Sequence, residues 1–222
     1  MFENFPTPII LAHRGDLTHA PENTLASFAQ ALQKGADGVE LDAKLTLDGQ
    51  VVVIHDTTVD RTTNGKGRIQ SHSLESIRQL DAGAWFNEEF SGEKVPLLEE
   101  VFELIGKDKL INIELTNYAT PRDGLVVKVC ELIKRHNNQK QIIFSSFFAS
   151  NLKIAAQALP GVPRGLLAMP GGAERARGVL DERQAIALRD REQAGHVGGL
   201  PERVHGQDGL QRATHRASRC GT

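Results

Sequence analysis

The sequence predicts an α/β fold in which successive βα units build a parallel sheet. Up to about residue 170, short runs rich in β-branched residues alternate with segments whose apolar residues recur at helical spacing. The 222 residues suit one domain, and 40% hydrophobic with 24% charged residues describe an ordinary globular protein. A formal net charge of -2 gives no positive field that would favour nucleic acid or an anionic membrane as partner.

The predicted elements follow one another in a regular order. Strands are predicted at 8–12, 38–46, 50–55, 110–115, 141–145 and 165–168. Helices are predicted at 23–34, 97–106, 122–136 and 149–158. Asn23 is the expected N-cap of the first helix, and Leu47-Asp48-Gly49 is a turn between the second and third strands.

Residues 57–95 break this alternation. They contain the turn signals Asn64-Gly65 and Lys66-Gly67, one short helix near 74–80, and the only tryptophan, Trp85. A loop this long within a compact domain is usually functional or a small subdomain. We interpret 57–95 as an insert after the third strand, beside the site at which that strand ends.

Carboxylates occupy one face of two predicted strands. Because side chains alternate with period two, Glu40 and Asp42 lie opposite Val39 and Leu41, and Glu114 likewise lies on the polar face of its strand. A buried charge is costly unless it is paired or binds a metal. Three carboxylates would supply hard oxygen ligands for Mg²⁺ or Ca²⁺. The alternative is that each one only pairs with a nearby Lys or Arg.

Two histidines end predicted strands beside a second polar group. His13 precedes Arg14, and His55 precedes Asp56. Two imidazoles at one site suit acid–base catalysis near neutral pH, and an arginine fork matches the oxygens of a phosphate. Together with a metal, these groups indicate displacement at a phosphodiester. No role is assigned to three other histidines, His19, His72 and His136.

Seven sequence blocks, in this order and spacing, resemble the glycerophosphodiester phosphodiesterase family. The blocks are HRG (13–15), APENT (20–24), GVELD (38–42), VIHD (53–56), DRTTNGKG (60–67), VPLLEE (95–100) and NIEL (112–115). The resemblance covers residues 8 to about 170. It implies a TIM-type (β/α)8 barrel with a small insert after strand 3, and one bound divalent cation, Mg²⁺ or Ca²⁺.

The resemblance also implies an activity and a set of site residues. The activity is metal-dependent hydrolysis of glycerophosphodiesters to glycerol 3-phosphate and an alcohol, within lipid and glycerol metabolism. The implied residues are the metal ligands Glu40, Asp42 and Glu114, the catalytic acid–base pair His13 and His55, and the substrate-binding residues Arg14, Glu40 and Glu114. Glu22 stays open between a structural role at the helix start and a role in the site.

One departure from the family pattern concerns the phosphate. Many relatives carry a lysine two residues after the third metal ligand, where this chain has Thr116. The substitution removes a positive charge, which puts the affinity for substrate in doubt.

Two alternative functions remain open. One is a phosphodiester lyase of the phosphatidylinositol-phospholipase-C or sphingomyelinase-D kind, which would release a cyclic phosphate. The other is an inactive binder of phosphate esters. The PENT block and the insert favour the hydrolase over the lyase, and the intact histidines and carboxylates argue against decay of the site.

Localisation and redox state follow from composition. Residues 1–6 contain no basic segment, and no stretch approaches the ~20 apolar residues of a membrane span. We therefore expect a cytoplasmic protein. Cys130 lies in an apolar run, which indicates a reduced thiol in the core.

The composition changes at Gly171. Residues 1–170 hold ten Lys and seven Arg, whereas 171–222 hold no Lys and nine Arg, and no aromatic residue follows Phe148. A helix is predicted near 181–191, but nothing resembles a seventh or eighth strand, so the barrel is predicted to be incomplete. Exposed strand edges would then make the chain aggregation-prone and weakly active. We interpret 171–222 as translation in a shifted frame; a natural disordered tail is the alternative.

The frame interpretation makes a prediction about the gene. Sequencing the coding DNA past codon 170 should reveal another reading frame that encodes strand-like, aromatic-containing sequence. If neither alternative frame does so, the shifted-frame interpretation is wrong.

Overall fold

The computed structural model describes residue 5 and residues 8–168. The strands are β1 Leu11–His13, β2 Gly38–Leu45, β3 Val51–Val53, β4 Leu110–Leu115, β5 Ile142–Ser146 and β6 Arg164–Leu166. The helices are α1 Leu25–Gln33, α2 Leu74–Gln79, α3 Leu98–Ile105, α4 Leu125–Arg135 and α5 Ala149–Ala158. Each strand and helix predicted before residue 169 is present, with ends displaced by at most three residues. The predicted helix at 181–191 and the question of the seventh and eighth strands lie outside the described residues.

Five strands form a parallel sheet in the order β1-β2-β4-β5-β6. Four helices pack on one side of it, which is the arrangement of a TIM-type barrel. The chain order and the sheet order differ at β3, which pairs antiparallel with β2, from Ala43 opposite Val53 to Leu45 opposite Val51. The five residues between β2 and β3 are too few for a parallel crossover. The strand before the insert is therefore a hairpin arm, and the described residues supply five parallel strands.

The two faces of β2 and β4 have different surroundings. Val39, Leu41, Ile111 and Ile113 are fully buried in the core cluster beneath the helices, together with Phe28 of α1. This apolar face is the main source of stability, since each buried aliphatic side chain contributes about 1.5–3 kcal/mol. The alternate residues of the same strands point to the opposite face, which carries the polar groups predicted from the sequence.

Residues 57–95 pack with β3 around a small apolar cluster. The cluster consists of Val52, Ile54, Val59, Ile69, Ile77, Ala82 and Val95. The last loop of the insert is ordered by Asp81, whose carboxylate accepts hydrogen bonds from the backbone N–H groups of Gly83, Ala84 and Gly92. These bonds lower the pKa of Asp81 to about 2.

Two further expectations concern the helices. Cys130 is a free, buried thiol in α4, so the prediction that it lies in the core is confirmed, and burial raises its pKa to about 11. Within residues 8–168, no helix has the length and apolar character to span a membrane.

Candidate active site

Three carboxylates converge on the polar face of the sheet. Asp42 and Glu114 lie opposite each other in the β2–β4 register, and Glu40 lies two residues before Asp42. Oxygen atoms of all three lie within 4.8 Å of one another. Glu40 is 8% exposed and Asp42 only 1% exposed, so the cluster is largely shielded from water. The sequence alternation predicted this convergence.

Burial and mutual repulsion make ionisation of this cluster unfavourable. Burial, with the charges of Asp42 and Glu114, holds the pKa of Glu40 well above its usual range. Burial and the charge of Asp42 raise the pKa of Glu114 to about 7. The site is therefore one where a bound cation would stabilise the ionised form of both glutamates.

The donors around Asp42 bear on whether this cluster fits a divalent cation. Its Oδ2 accepts from Asn23 Nδ2 at 2.9 Å and lies 3.2 Å from Arg14 Nε. Its Oδ1 is buried and has no hydrogen-bond partner among the described residues. Buried polar atoms are almost always satisfied. A buried carboxylate oxygen left open in a cluster of three carboxylates fits the ligand set of Mg²⁺ or Ca²⁺.

Arg14 is held in a tight turn after β1. Its φ of 54° lies in the left-handed region, and Gly15 follows with φ 92°. The Arg14 N–H donates to the backbone oxygen and to Oε2 of Glu40, at 3.0 and 3.1 Å. Nη1 of Arg14 donates to Glu22 Oε1 at 3.3 Å. Such an uncommon backbone conformation in a charged residue is typical of a functional site, and here it aims the guanidinium at the carboxylate cluster.

The PENT block, residues 21–24, both caps α1 and contacts Asp42. The prediction that Asn23 is the N-cap is wrong. Thr24, not Asn23, is the N-cap of α1, and it forms a capping box with Ser27. Asn23 has φ 56°, which excludes the extended conformation of an N-cap. Its amide instead donates to Asp42, so Asn23 orients a carboxylate of the site.

The two histidines approach the cluster from different strands. His13 ends β1, and its Nε2 lies 3.8 Å from Glu40 Oε2, with the side chain 45% exposed. His55 lies two residues beyond β3. Because β3 runs back along β2, the N–H of Ile54 donates to the oxygen of Asp42, which brings His55 beside the cluster. His55 Nδ1 lies 2.7 Å from Asp56 Oδ1.

A positively charged side chain that was not predicted from the sequence contacts Thr116. Lys44, on the polar face of β2, donates from Nζ to the backbone oxygen and Oγ1 of Thr116, at 2.8 and 2.9 Å. Lys44 is 8% exposed; burial lowers its pKa, while the charges of Asp42 and Glu114 act in the opposite direction. A positive charge therefore faces this side of the site from the neighbouring strand. The sequence could have predicted this position, because Lys44 follows Asp42 by two residues in the same strand and so shares its face.

Tyr118 is a second residue that the sequence did not indicate. Its hydroxyl donates to Glu114 Oε1 at 2.7 Å and accepts from the N–H of Phe147 at 3.0 Å. The tyrosine also stacks edge-on with Phe147 and Phe148. It therefore fixes the orientation of Glu114 at an aromatic rim.

Comparison with known proteins places the chain in a family. A model of the "Glycerophosphoryl diester phosphodiesterase family" matches residues 13–218. The chain belongs to this family. It is 49% identical over 160 residues to a glycerophosphodiester phosphodiesterase of Caldanaerobacter subterraneus subsp. tengcongensis, covering 72% of this chain and 66% of the relative. A Bacillus altitudinis glycerophosphodiester phosphodiesterase is 40% identical over 162 residues, with 72% and 66% covered. The chain thus spans about two thirds of the length of these family members.

Solved structures of family members share the fold. A glycerophosphodiester phosphodiesterase from Agrobacterium tumefaciens superposes with a TM-score of 0.65 at 35% identity, over 71% of this chain and 66% of that one. A phosphodiesterase from Oleispira antarctica, solved with the product sn-glycerol-3-phosphate, gives a TM-score of 0.71 at 32% identity. That match covers 82% of this chain and 85% of the other.

The raised pKa values predict a pH-dependent stability. The folded state keeps a proton on Glu114 up to about pH 7, whereas the unfolded state releases it near pH 4.3. The folded state binds more protons in between, so stability falls as pH rises through this range. A divalent cation binds the ionised form, so the rise in Tm that it causes should grow over the same range. Calorimetry of the metal-free and metal-loaded protein from about pH 5 to 8 measures both effects.

Glu114→Gln should flatten the pH dependence and reduce the cation-induced rise in Tm. Glu103→Gln, which removes an exposed glutamate of α3, should leave both unchanged. An equal cation-induced rise in Glu114→Gln and in the parent protein would show that the cation binds elsewhere.

Proposed function

We propose that this chain hydrolyses glycerophosphodiesters to glycerol 3-phosphate and an alcohol, with a divalent cation as cofactor. The observation that supports this most is the meeting of three carboxylates, Arg14 and two histidines on one face of the sheet. Membership of the family supports the reaction class. The product bound in the Oleispira antarctica relative supports glycerol 3-phosphate as the released half.

Each residue has a chemical task in this proposal. Arg14 binds the phosphate oxygens through its planar fork. One histidine takes the proton of the attacking water, and the other gives a proton to the leaving alcohol oxygen as its bond to phosphorus breaks. Because the Asp56 carboxylate can only accept, His55 Nδ1 donates to it, and His55 Nε2 is left to exchange a proton with the substrate.

The carboxylate cluster has a separate task. Glu40, Asp42 and Glu114 would hold the cation, for which Mg²⁺ and Ca²⁺ are the candidates. When bound, this cation supplies positive charge to the phosphoryl oxygens and stabilises the transition state. Glu40 and Glu114 thereby also lie beside the substrate. We further propose a cytoplasmic role in lipid and glycerol metabolism, with a small-molecule substrate.

A product assay tests the reaction. Glycerophosphocholine and glycerophosphoethanolamine should each yield glycerol 3-phosphate in the presence of Mg²⁺ or Ca²⁺, and excess chelator should abolish the release. The products should be identified by ³¹P NMR, which separates a linear phosphomonoester from a cyclic phosphate. A cyclic product would favour the lyase, and binding of the diester without turnover would favour the inactive binder.

Substitution of the histidines tests the assigned roles. His13→Ala and His55→Ala should each lower kcat by ~10²–10⁴, because each removes one proton transfer. The cation-induced rise in Tm should persist in both variants. As a control, His19→Ala changes an exposed histidine that pairs with Asp16, outside the carboxylate cluster. Near-parental activity of His13→Ala or His55→Ala would remove that histidine from the mechanism.

Substitution of the arginine tests its binding role. Arg14→Lys should raise KM more than it changes cation affinity, since the charge stays while the fork is lost.

A further inference from the structure

One arginine of the insert connects two parts of the active site. Arg61 donates to both oxygens of Asp56, from Nε at 2.8 Å and from Nη2 at 3.0 Å. It also donates to both oxygens of Glu22, from Nη1 and Nη2 at 2.8 Å. A single guanidinium thus holds two carboxylates, one from each side of the site.

Each of these carboxylates contacts a group that acts on the substrate. Asp56 accepts from Nδ1 of His55, and Glu22 accepts from Nη1 of Arg14. The hydrogen bonds from Arg61 lower the pKa of Asp56 to about 2, so Asp56 stays a pure acceptor. Burial of Glu22 opposes its ionisation, but the hydrogen bonds and charge of Arg61, together with the charges of Arg14 and His55, outweigh this and hold its pKa below the usual range.

The ion pairs of Arg61 contribute too little to folding stability to explain this arrangement. The Arg61 side chain is 44% exposed, and exposed ion pairs add little to the free energy of folding. Four hydrogen bonds from one rigid fork do, however, define the plane and position of both carboxylates. The contact therefore restricts geometry more than it adds stability.

We infer that Arg61 is a positioning residue, which aligns His55 through Asp56 and Arg14 through Glu22. The inference deepens the proposed function and rests on it, because it explains how the insert sets the geometry of that site. In its absence both carboxylates could rotate, and the imidazole and the phosphate-binding guanidinium would lose their fixed directions. A misplacement of about 1 Å can cost roughly 10²-fold in rate.

The chain offers a matched control. Arg78, also in the insert, donates from Nη1 and Nη2 to both oxygens of Glu100 at 2.8 Å, and so ties the insert to α3. Its side chain is 34% exposed, and its partner does not belong to the site. Arg78→Ala therefore removes a similar bidentate ion pair without touching the aligned groups.

The first experiment compares kinetics of the cation-loaded full chain. Arg61→Ala should lower kcat by roughly 10- to 100-fold and raise KM, while Arg78→Ala keeps the parental kcat and KM. Arg61→Lys should stay impaired, since it keeps the charge but loses the fork. Millimolar guanidinium should restore part of the kcat of Arg61→Ala and should not raise that of Arg78→Ala. Parental kinetics in Arg61→Ala, or full activity in Arg61→Lys, would overturn the inference.

The second experiment does not depend on activity. In the parent, ¹⁵N NMR of neutral His55 should show the proton on Nδ1, and the signal is assigned by its loss in His55→Ala. Arg61→Ala should shift the tautomer population toward Nε2–H, and Arg78→Ala should not. An unchanged tautomer in Arg61→Ala overturns the positioning role. If the parent releases no glycerol 3-phosphate, the proposed function fails, while this measurement still decides the role of Arg61.

Discussion

The repulsion among three closely spaced carboxylates, two buried and one partly buried, is the constraint on which the rest of the site depends. Glu40, Asp42 and Glu114 lie within 4.8 Å of one another in a region largely closed to water, where charges interact more strongly than in solution. Two cations, Arg14 and Lys44, offset part of this charge. Without a further positive charge the cluster keeps protons instead, as the raised pKa values of both glutamates show. A bound cation would therefore stabilise the ionised form of the cluster.

The same strand builds the core and the site. Val39 and Leu41 of β2 lie in the apolar cluster under the helices, while Glu40 and Asp42 face the opposite side. Since the period of a strand is two, shifting the register by one residue would exchange the two sets. The hydrophobic effect that fixes the core therefore also fixes the positions of Glu40 and Asp42.

Sequence reasoning succeeded where local periodicity decides the outcome and failed where tertiary contacts do. The order of strands and helices and the shared face of Glu40, Asp42 and Glu114 follow from alternation alone. The roles of Asn23 and Arg61 do not, because each contacts a residue that lies far away in sequence or across a turn. The length of the β2–β3 connection could have predicted the antiparallel pairing, since five residues cannot cross over a sheet.

The antiparallel course of β3 explains why the insert lies where it does. A parallel third strand would run in the same direction as β2. Instead, β3 runs back along β2 and ends near Asp42, where the insert begins. Arg61 fastens the insert to Glu22, beside the carboxylate cluster, and Gln70 fastens it to Thr120 and Asp123. His55 lies at the junction of β3 and this fastened segment, so its backbone is held from both sides. His55, whose imidazole is proposed to transfer a proton, lies just beyond the three-residue strand β3, so the insert adds support to its position. The insert is therefore part of the frame that holds His55 beside the carboxylate cluster.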